Sequence, residues 1–293
     1  MEFVLTLIAS EKPLTTAHLA GVTRFLDSQG LPLSHDPRWL RPHKAADLYV
    51  PFRPNAQQIR AIRDALSTDR IDVLINRTRG RKKRLLLADM DATIIDGETL
   101  DELADFIGRK AETAAITEKT MRGELDFTAS LHERVALLKG LPESVLQDTM
   151  DKMTLMRGAE TLVGGMREKG ATCVLVSGGF TFFTSAVAKR VGFHHHHGNV
   201  LDIQDGKLSG KVNGPVLDRG AKLAFLEFYM KDLDLQPEDI MAIGDGSNDL
   251  LMLQAAGLGI GFQPKPLLIE SLDNLILYGD LTAALYAQGL APN

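Results

Sequence analysis

The sequence has a single cysteine, Cys173, among 293 residues, so no disulfide can form within the chain. That cysteine lies in the apolar run Thr172–Val176, where a buried structural thiol is expected rather than a reactive one. No apolar run approaches the ~18 residues of a membrane-spanning helix, which excludes a helical membrane protein. The net charge of -5 carries no basic excess, which argues against a general nucleic-acid partner. The opening residues Met1–Leu5 lack the basic start and cleavage site of a secretory leader. There is no internal repeat and no low-complexity segment. What remains is an ordinary globular composition, 44% hydrophobic and 24% charged. The expectation is a cytoplasmic enzyme with more than one domain.

Residues 1–76 have the pattern of a small α+β unit. Phe3–Ile8, Ala46–Pro51 and Ile71–Ile75 are strand candidates. Leu19, Val22, Phe25 and Leu26 repeat at helical spacing, with Gly30 placed to end the helix, and Ile59, Ile62, Ala65 and Leu66 mark a second helix. Leu31–Lys44, rich in Pro, His and Arg, fits no element. The basic stretch Arg77–Arg84 is expected to be a solvated linker, so a chain starting near Gly80 should fold without the segment before it. From Arg84 onward strands and helices alternate, which predicts a parallel sheet covered on both faces. Arg84–Asp89, Ala171–Ser177, Asp239–Gly244 and Leu258–Phe262 are short and apolar, as central parallel strands are. A mostly helical insert, Glu98–Arg157, leaves the end of the first of these strands. It can therefore close over the sheet edge where ligands of open α/β sheets bind. Asn199–Gln204 and Lys207–Val212 flank Asp205-Gly206 as a hairpin.

Polar clusters follow three of the strands. Asp89-Met90-Asp91-Ala92-Thr93 offers two carboxylates two residues apart, one to attack phosphorus and one to move a proton. Turn aspartates are common, so the pair alone decides little. Ser177-Gly178-Gly179 runs into a helix, and a hydroxyl, free backbone N–H groups and a helix N-terminus make a phosphate cradle or simply a tight turn. Gly244-Asp245-Gly246-Ser247-Asn248-Asp249 gathers carboxylates suited to a hard cation. All three would meet at one edge of one sheet. Phosphoryl transfer also needs a cation to offset charge on the equatorial oxygens, and Lys222, near the start of another helix, is available for it.

In this order the clusters resemble the haloacid dehalogenase-like phosphatases: D-x-D-x-T, then Ser, then Lys, then an acidic turn. The match sharpens to the phosphoserine phosphatase family across about residues 85–293. Asp89–Leu103 reads DMDATIIDGETLDEL, Glu118–Leu138 reads EKTMRGELDFTASLHERVALL, Val176–Phe180 reads VSGGF and Gly244–Leu250 reads GDGSNDL. The resemblance implies a Rossmann-like parallel-sheet core over 81–97 and 158–293 and a helical cap over 98–157. The 1–80 segment, linker included, resembles in its pattern of elements the small ACT-like α+β domains that precede some bacterial phosphoserine phosphatases.

That family implies hydrolysis of O-phospho-L-serine to L-serine and phosphate, the last step of serine biosynthesis, with phosphohomoserine or another small phosphomonoester as the alternative substrate. Asp89 would be the nucleophile and Asp91 the general acid and base. Asp89, the backbone carbonyl of Asp91 and Asp245 would bind Mg²⁺. Ser177, Gly178 and Lys222 would hold the phosphoryl oxygens, with Asn248 nearby and Asp249 in support. In the cap, Glu98 would receive the substrate ammonium and Arg134 its carboxylate, while Met121 and Phe127 form an apolar wall. Without the resemblance, Glu98 reads as a residue favouring a helix dipole and Arg134 as a surface residue. A phospho-accepting receiver would use one strand-end aspartate, but has no need of the second or of the insert. An amino-acid-binding regulator with a vestigial core would not retain Asp89, Asp91, Lys222 and Asp245. Position 92 is Ala where the family usually has Ser, and Ser247 stands where Ala is usual. The run His194–His197 offers transition-metal ligands, but a solvated loop is expected, because oxygen ligands already supply the chemistry. The N-terminal unit could also build a homodimer contact.

Overall fold

A computed structural model describes residues 2–121 and 124–292, apart from the side chains of Met121 and Arg219. The chain begins as a βαββαβ unit: β1 (Phe3–Ala9), α1 (Thr16–Ser28), β2 (Arg38–Arg41), β3 (Ala45–Val50), α2 (Ala56–Leu66) and β4 (Ile71–Arg77). Helix α1 buries Leu19, Val22 and Leu26. Just beyond it Gly30 takes φ +73°, a left-handed conformation that glycine adopts without steric cost. Helix α2 starts in a capping box, with Asn55 and Gln58 each taking the other's backbone N–H at 2.9 Å. Strand β1 lies between β3 and β4, antiparallel to both. The stretch that fits no element in sequence contains β2, a four-residue edge strand on β3 with arginines at both ends, a way of blunting an open edge.

The chain continues through β5 (Leu85–Ala88), α3 (Thr99–Asp105), α4 (Lys110–Met121), α5 (Phe127–Leu137), α6 (Ser144–Lys152) and α7 (Ala159–Glu168). Next come β6 (Thr172–Phe180), α8 (Thr181–Val191), β7 (His195–Gln204), β8 (Lys207–Asn213), α9 (Arg219–Asp232) and β9 (Ile240–Gly244). The last elements are α10 (Leu250–Ala255), β10 (Leu258–Phe262), α11 (Pro266–Ser271), β11 (Leu275–Ile276) and α12 (Ala283–Ala287). The sheet order over this part is β11-β10-β9-β5-β6-β7-β8. Strands β11 to β7 run parallel, and β8 turns back as the antiparallel arm of the expected hairpin. Every residue of β5 and β9 is buried, which explains their unbroken apolar sequence. Cys173 is buried on β6, and burial pushes its thiol up to about 12. Helices α3 to α6 form the insert at the exit of β5. No described helix is long and apolar enough to cross a membrane.

The two parts share one sheet. Val73 of β4 sits opposite Leu275 of β11, so the order runs β2-β3-β1-β4-β11 without a break. Asn274 extends the join by accepting the Ile75 N–H at 2.6 Å and donating to the Ile75 carbonyl at 3.1 Å. Buried Asp72 accepts the backbone N–H groups of Leu277, Tyr278 and Gly279. The basic stretch is solvated only in part: Arg79, Gly80, Lys82 and Arg84 are exposed, but two of its cations are engaged inside. Arg81 clamps buried Asp47 with two bonds of 2.7 Å, and Lys83 is 4% exposed, donating to the carbonyls of Gly80 and Glu238. Long stems and multiple donors let these cations pack inside when acceptors are in reach.

The histidine run is likewise not a loop. Pairing of β7 with β6 places His195, His196 and His197 opposite Val174, Leu175 and Val176. Strand alternation sends neighbours to opposite faces. His197 stacks on Phe225 with ring centroids 3.9 Å apart and shares a hydrogen bond with the Tyr229 hydroxyl, while His196 faces Thr184. His194 accepts the Cys173 N–H. Among the described residues, these histidines belong to no group of three side chains close enough to hold a metal ion.

Candidate active site

The site forms where β5, β6 and β9 end side by side. Asp89 follows β5 directly, and its Oδ1 accepts the Met90 N–H at 2.8 Å. The chain turns sharply there, with Ala92 at φ +53°. The turn brings Asp91 back so that its Oδ1 accepts the Thr99 N–H at 2.7 Å and its Oδ2 accepts the Ser177 hydroxyl at 2.9 Å. Ser177 in turn accepts the Gly179 N–H at 2.8 Å. Asp91 is thus oriented by both the insert and β6. Burial, and then the neighbouring Asp89, push its carboxyl up to about 6, the direction that keeps a proton available.

Lys222, on α9, lies beneath the pair with 1% of its side chain exposed. Its ammonium is 2.7 Å from Asp89 and 2.6 Å from Asp249. Burial alone would lower its proton affinity, but Asp249 and Asp89 overcome that and hold it above the usual lysine range. Carboxylate oxygens of Asp89, Asp245 and Asp249 all lie within 4.8 Å of one another, close enough for the three to hold a metal ion. Burial and then Asp89 push Asp249 up to about 7; burial raises Asp245 as well. Three buried carboxylates so close together favour a cation between them.

Asp89, Asp91, Glu98, Phe127, Arg134, Ser177, Gly178, Asp245 and Asn248 line one cavity. Lys222 and Asp249 support it from below. Met121, expected in the apolar wall, has a side chain outside the described residues; Leu100, Leu131 and Phe180 supply apolar lining beside Phe127. Glu98 caps α3 in position only, making no side-chain cap bond. Its carboxyl is raised by burial and by Asp91. Arg134 is 4% exposed, so it is not a surface residue. Asn248 Oδ1 is buried with no hydrogen-bond partner, an acceptor left for a ligand or for solvent.

The insert is folded down on the core. The Phe127 ring lies so close to Gly178 that a Cβ there would come within 2.6 Å of it. Ser247 donates to the Thr120 carbonyl across the junction at 3.4 Å. The cavity volume is about 30 Å³, against the ~300 Å³ or more of a small-molecule site, so the insert leaves little room over the carboxylates.

Two residues of the site were not foreseen. Lys265 caps α11 after β10, with its ammonium 2.9 Å from Asp245 and 3.5 Å from Glu98. Its place in Gln263-Pro264-Lys265-Pro266, a fourth turn at the same sheet edge, was the available clue. Asn199, on β7, donates to the Gly178 carbonyl at 2.7 Å and accepts the Leu217 N–H at 2.9 Å. Nothing local to Asn199 points to that bridge.

Comparison with known proteins agrees with this geometry. Residues 86–254 match the haloacid dehalogenase-like hydrolase family. A phosphoserine phosphatase of Archaeoglobus fulgidus is 41% identical over 68% of this chain and 58% of its own length. The chain spans 58% and 51% of the length of two of the curated relatives it matches. The crystal structure of a haloacid dehalogenase family hydrolase from Salmonella enterica serovar Typhi superposes with a TM-score of 0.83 at 29% identity, covering 98% of each chain. A phosphoserine phosphatase holding an analogue of the phospho-aspartyl intermediate superposes with a TM-score of 0.67 at 38% identity, covering 70% of this chain and 98% of the other.

Proposed function

The chain belongs to the haloacid dehalogenase-like hydrolase family, and within it we propose that it hydrolyses O-phospho-L-serine to L-serine and phosphate through an aspartyl-phosphate on Asp89. The observation that carries the substrate assignment is that Glu98 and Arg134 line one cavity with the carboxylate pair. A carboxyl and a guanidinium on the insert match the ammonium and carboxylate of an amino acid, the latter by a planar two-oxygen fork.

In the first step an Asp89 oxygen attacks phosphorus. The bond from phosphorus to the serine oxygen breaks, and Asp91 gives that oxygen its proton. In the second, water attacks the aspartyl-phosphate, Asp91 takes the water's proton, and the bond to Asp89 breaks to release phosphate. Splitting one difficult displacement into two is the benefit of a covalent intermediate. Lys222, the Ser177 hydroxyl and the Gly178 backbone N–H hold the phosphoryl oxygens. The acidic cluster fits Mg²⁺, which Asp89, the Asp91 carbonyl and Asp245 would hold and which would supply charge neutralisation at the phosphoryl group. Asp249 takes the supporting part, because its Oδ1 is bound to Lys222 and its Oδ2 accepts the Gly246 N–H. Turnover should cease with chelator and return with Mg²⁺ but not Ca²⁺, whose larger, looser coordination spoils in-line geometry.

The test compares phosphoserine with p-nitrophenyl phosphate in Arg134→Ala and Glu98→Gln. Loss of one partner of a buried charge-assisted bond costs about 2–5 kcal/mol, so kcat/KM for phosphoserine should fall roughly 30-fold to several-thousand-fold. The aryl phosphate has neither recognised group, so its hydrolysis should change only several-fold. Equal losses on both substrates would defeat the assignment of phosphoserine.

A further inference from the structure

Arg134 does not orient itself. Its Nε donates to the Ser130 carbonyl one turn earlier on α5 at 3.1 Å, and its Nη1 donates to the Thr117 hydroxyl of α4 at 2.7 Å. Thr117 is 3% exposed. Its hydroxyl donates to Oδ1 of Asp101 on α3 at 3.0 Å, and Asp101 is 6% exposed. A hydroxyl has one proton to give. With that proton directed at Asp101, its lone pairs face the guanidinium. Three helices of the insert therefore converge on a single oxygen, and the direction of that oxygen is fixed by a buried carboxylate. Packing alone does not call for this. Valine has the shape of threonine and would fill the same space without burying polar atoms, which is costly unless they are bonded.

We propose that Thr117 and Asp101 are positioning residues for recognition of the substrate carboxylate, acting through Arg134. A guanidinium has five N–H donors in a rigid fork. Fixing Nε and one N–H of Nη1 inside the insert settles the plane of the group and leaves its other donors for the cavity that Arg134 lines. The chemical class so selected is a phosphomonoester that carries a free carboxylate. The inference rests on the role given to Arg134 above and goes further by stating what makes that arginine selective.

The test uses the full chain with three substrates: phosphoserine, O-phosphoethanolamine, which keeps the ammonium but lacks the carboxylate, and p-nitrophenyl phosphate. Thr117→Val should raise KM for phosphoserine about tenfold, the scale of one hydrogen bond to a charged group. Its kcat should stay within about twofold, the pattern of lost uniform binding. The other two substrates should be unaffected. Thr117→Ser, which keeps the hydroxyl, should return KM to near the wild-type value, and Thr117→Ala should repeat the pattern of Val with less crowding. In an Arg134→Ala background Thr117→Val should add nothing. Equal losses on all three substrates, additive losses with Arg134→Ala, or a Ser variant as poor as Val would overturn the inference while leaving Arg134 in its role. Failure of Arg134→Ala itself to separate phosphoserine from phosphoethanolamine would overturn both.

Discussion

Asp91 shows how much chemistry rests on single contacts. Its carboxyl stands at about 6 against an ordinary 3.8, because it is buried and then because Asp89 is beside it. A carboxyl whose proton affinity rises on folding favours the folded chain at low pH, and that contribution is lost as pH climbs from about 4 through about 6. At neutral pH the ionised carboxyl is therefore a liability, of order 3 kcal/mol by linkage. Asp91→Asn keeps the shape and removes the charge. In chelator it should raise Tm at pH 7.5 while abolishing turnover, and the gain should shrink to nothing near pH 4. A thermal scan at the two pH values decides it, and a variant less stable than wild type at pH 7.5 would refute the crowding of charge. The strand-end aspartates were legible in sequence because the chemistry needs them adjacent. Asn199 was not, since its bridge joins two other segments and leaves no local pattern, and Lys265 left only its place in a turn after β10 as a clue. The histidine run misled for the same reason: composition reports polarity, but the fates of His194 to His197 are set by β6, Tyr229 and Thr184.

At the scale of elements, the insert and the core meet where Phe127, at the start of α5, covers Gly178 at the turn from β6 into α8. The ring's approach leaves no room for a methyl group at residue 178. Gly178→Ala should hold the insert partly open, with water reaching the reacting centre. The expected result is a several-fold to about hundredfold fall in kcat/KM, the scale on which small displacements act in an active site. Phe127→Leu in the same chain should recover part of the loss, because the two changes share one contact and are not additive. Steady-state rates for the two single variants and the double variant test this, and strictly additive losses would show that the contact is not what Gly178 protects. The strands that build this edge were readable, since β5, β9 and β10 are short apolar runs bounded by polar turns. Strands β2 and β11, of four and two residues, were not. Unlike β5, which is all apolar, β2 reads Arg-Trp-Leu-Arg and β11 is two residues long, so each is defined by the neighbour it pairs with.

At the scale of the molecule, the sequence suggests a separable first domain, because residues 1–76 complete a βαββαβ pattern and a run of basic residues follows. The contacts argue for integration. One face of the first unit has its own core with α1 and α2, around Leu5, Leu7, Leu26 and Leu48. On the other face Ile8, Ala45 and Leu74 join the core of the catalytic part with Leu281, Leu285 and Tyr286. Cutting the chain near Gly80 would bare that apolar surface and the open side of β11, and would remove Asn76, which donates to the Ala287 carbonyl. Such a chain should be insoluble or far less stable, although the proposed catalytic residues follow the cut. A subtler variant probes the same join without exposing a sheet edge. Asp47→Ala would leave Arg81 without the carboxylate that takes two of its bonds, and breaking one side of a buried pair costs about 3–5 kcal/mol. Its urea midpoint should drop accordingly, while kcat and KM well below the transition stay near wild-type values, because neither residue lines the cavity. An unchanged midpoint in Asp47→Ala, or a shortened chain that melts at the wild-type temperature, would show that the first unit is an appendage and that the continuous sheet contributes little to holding the active site in place.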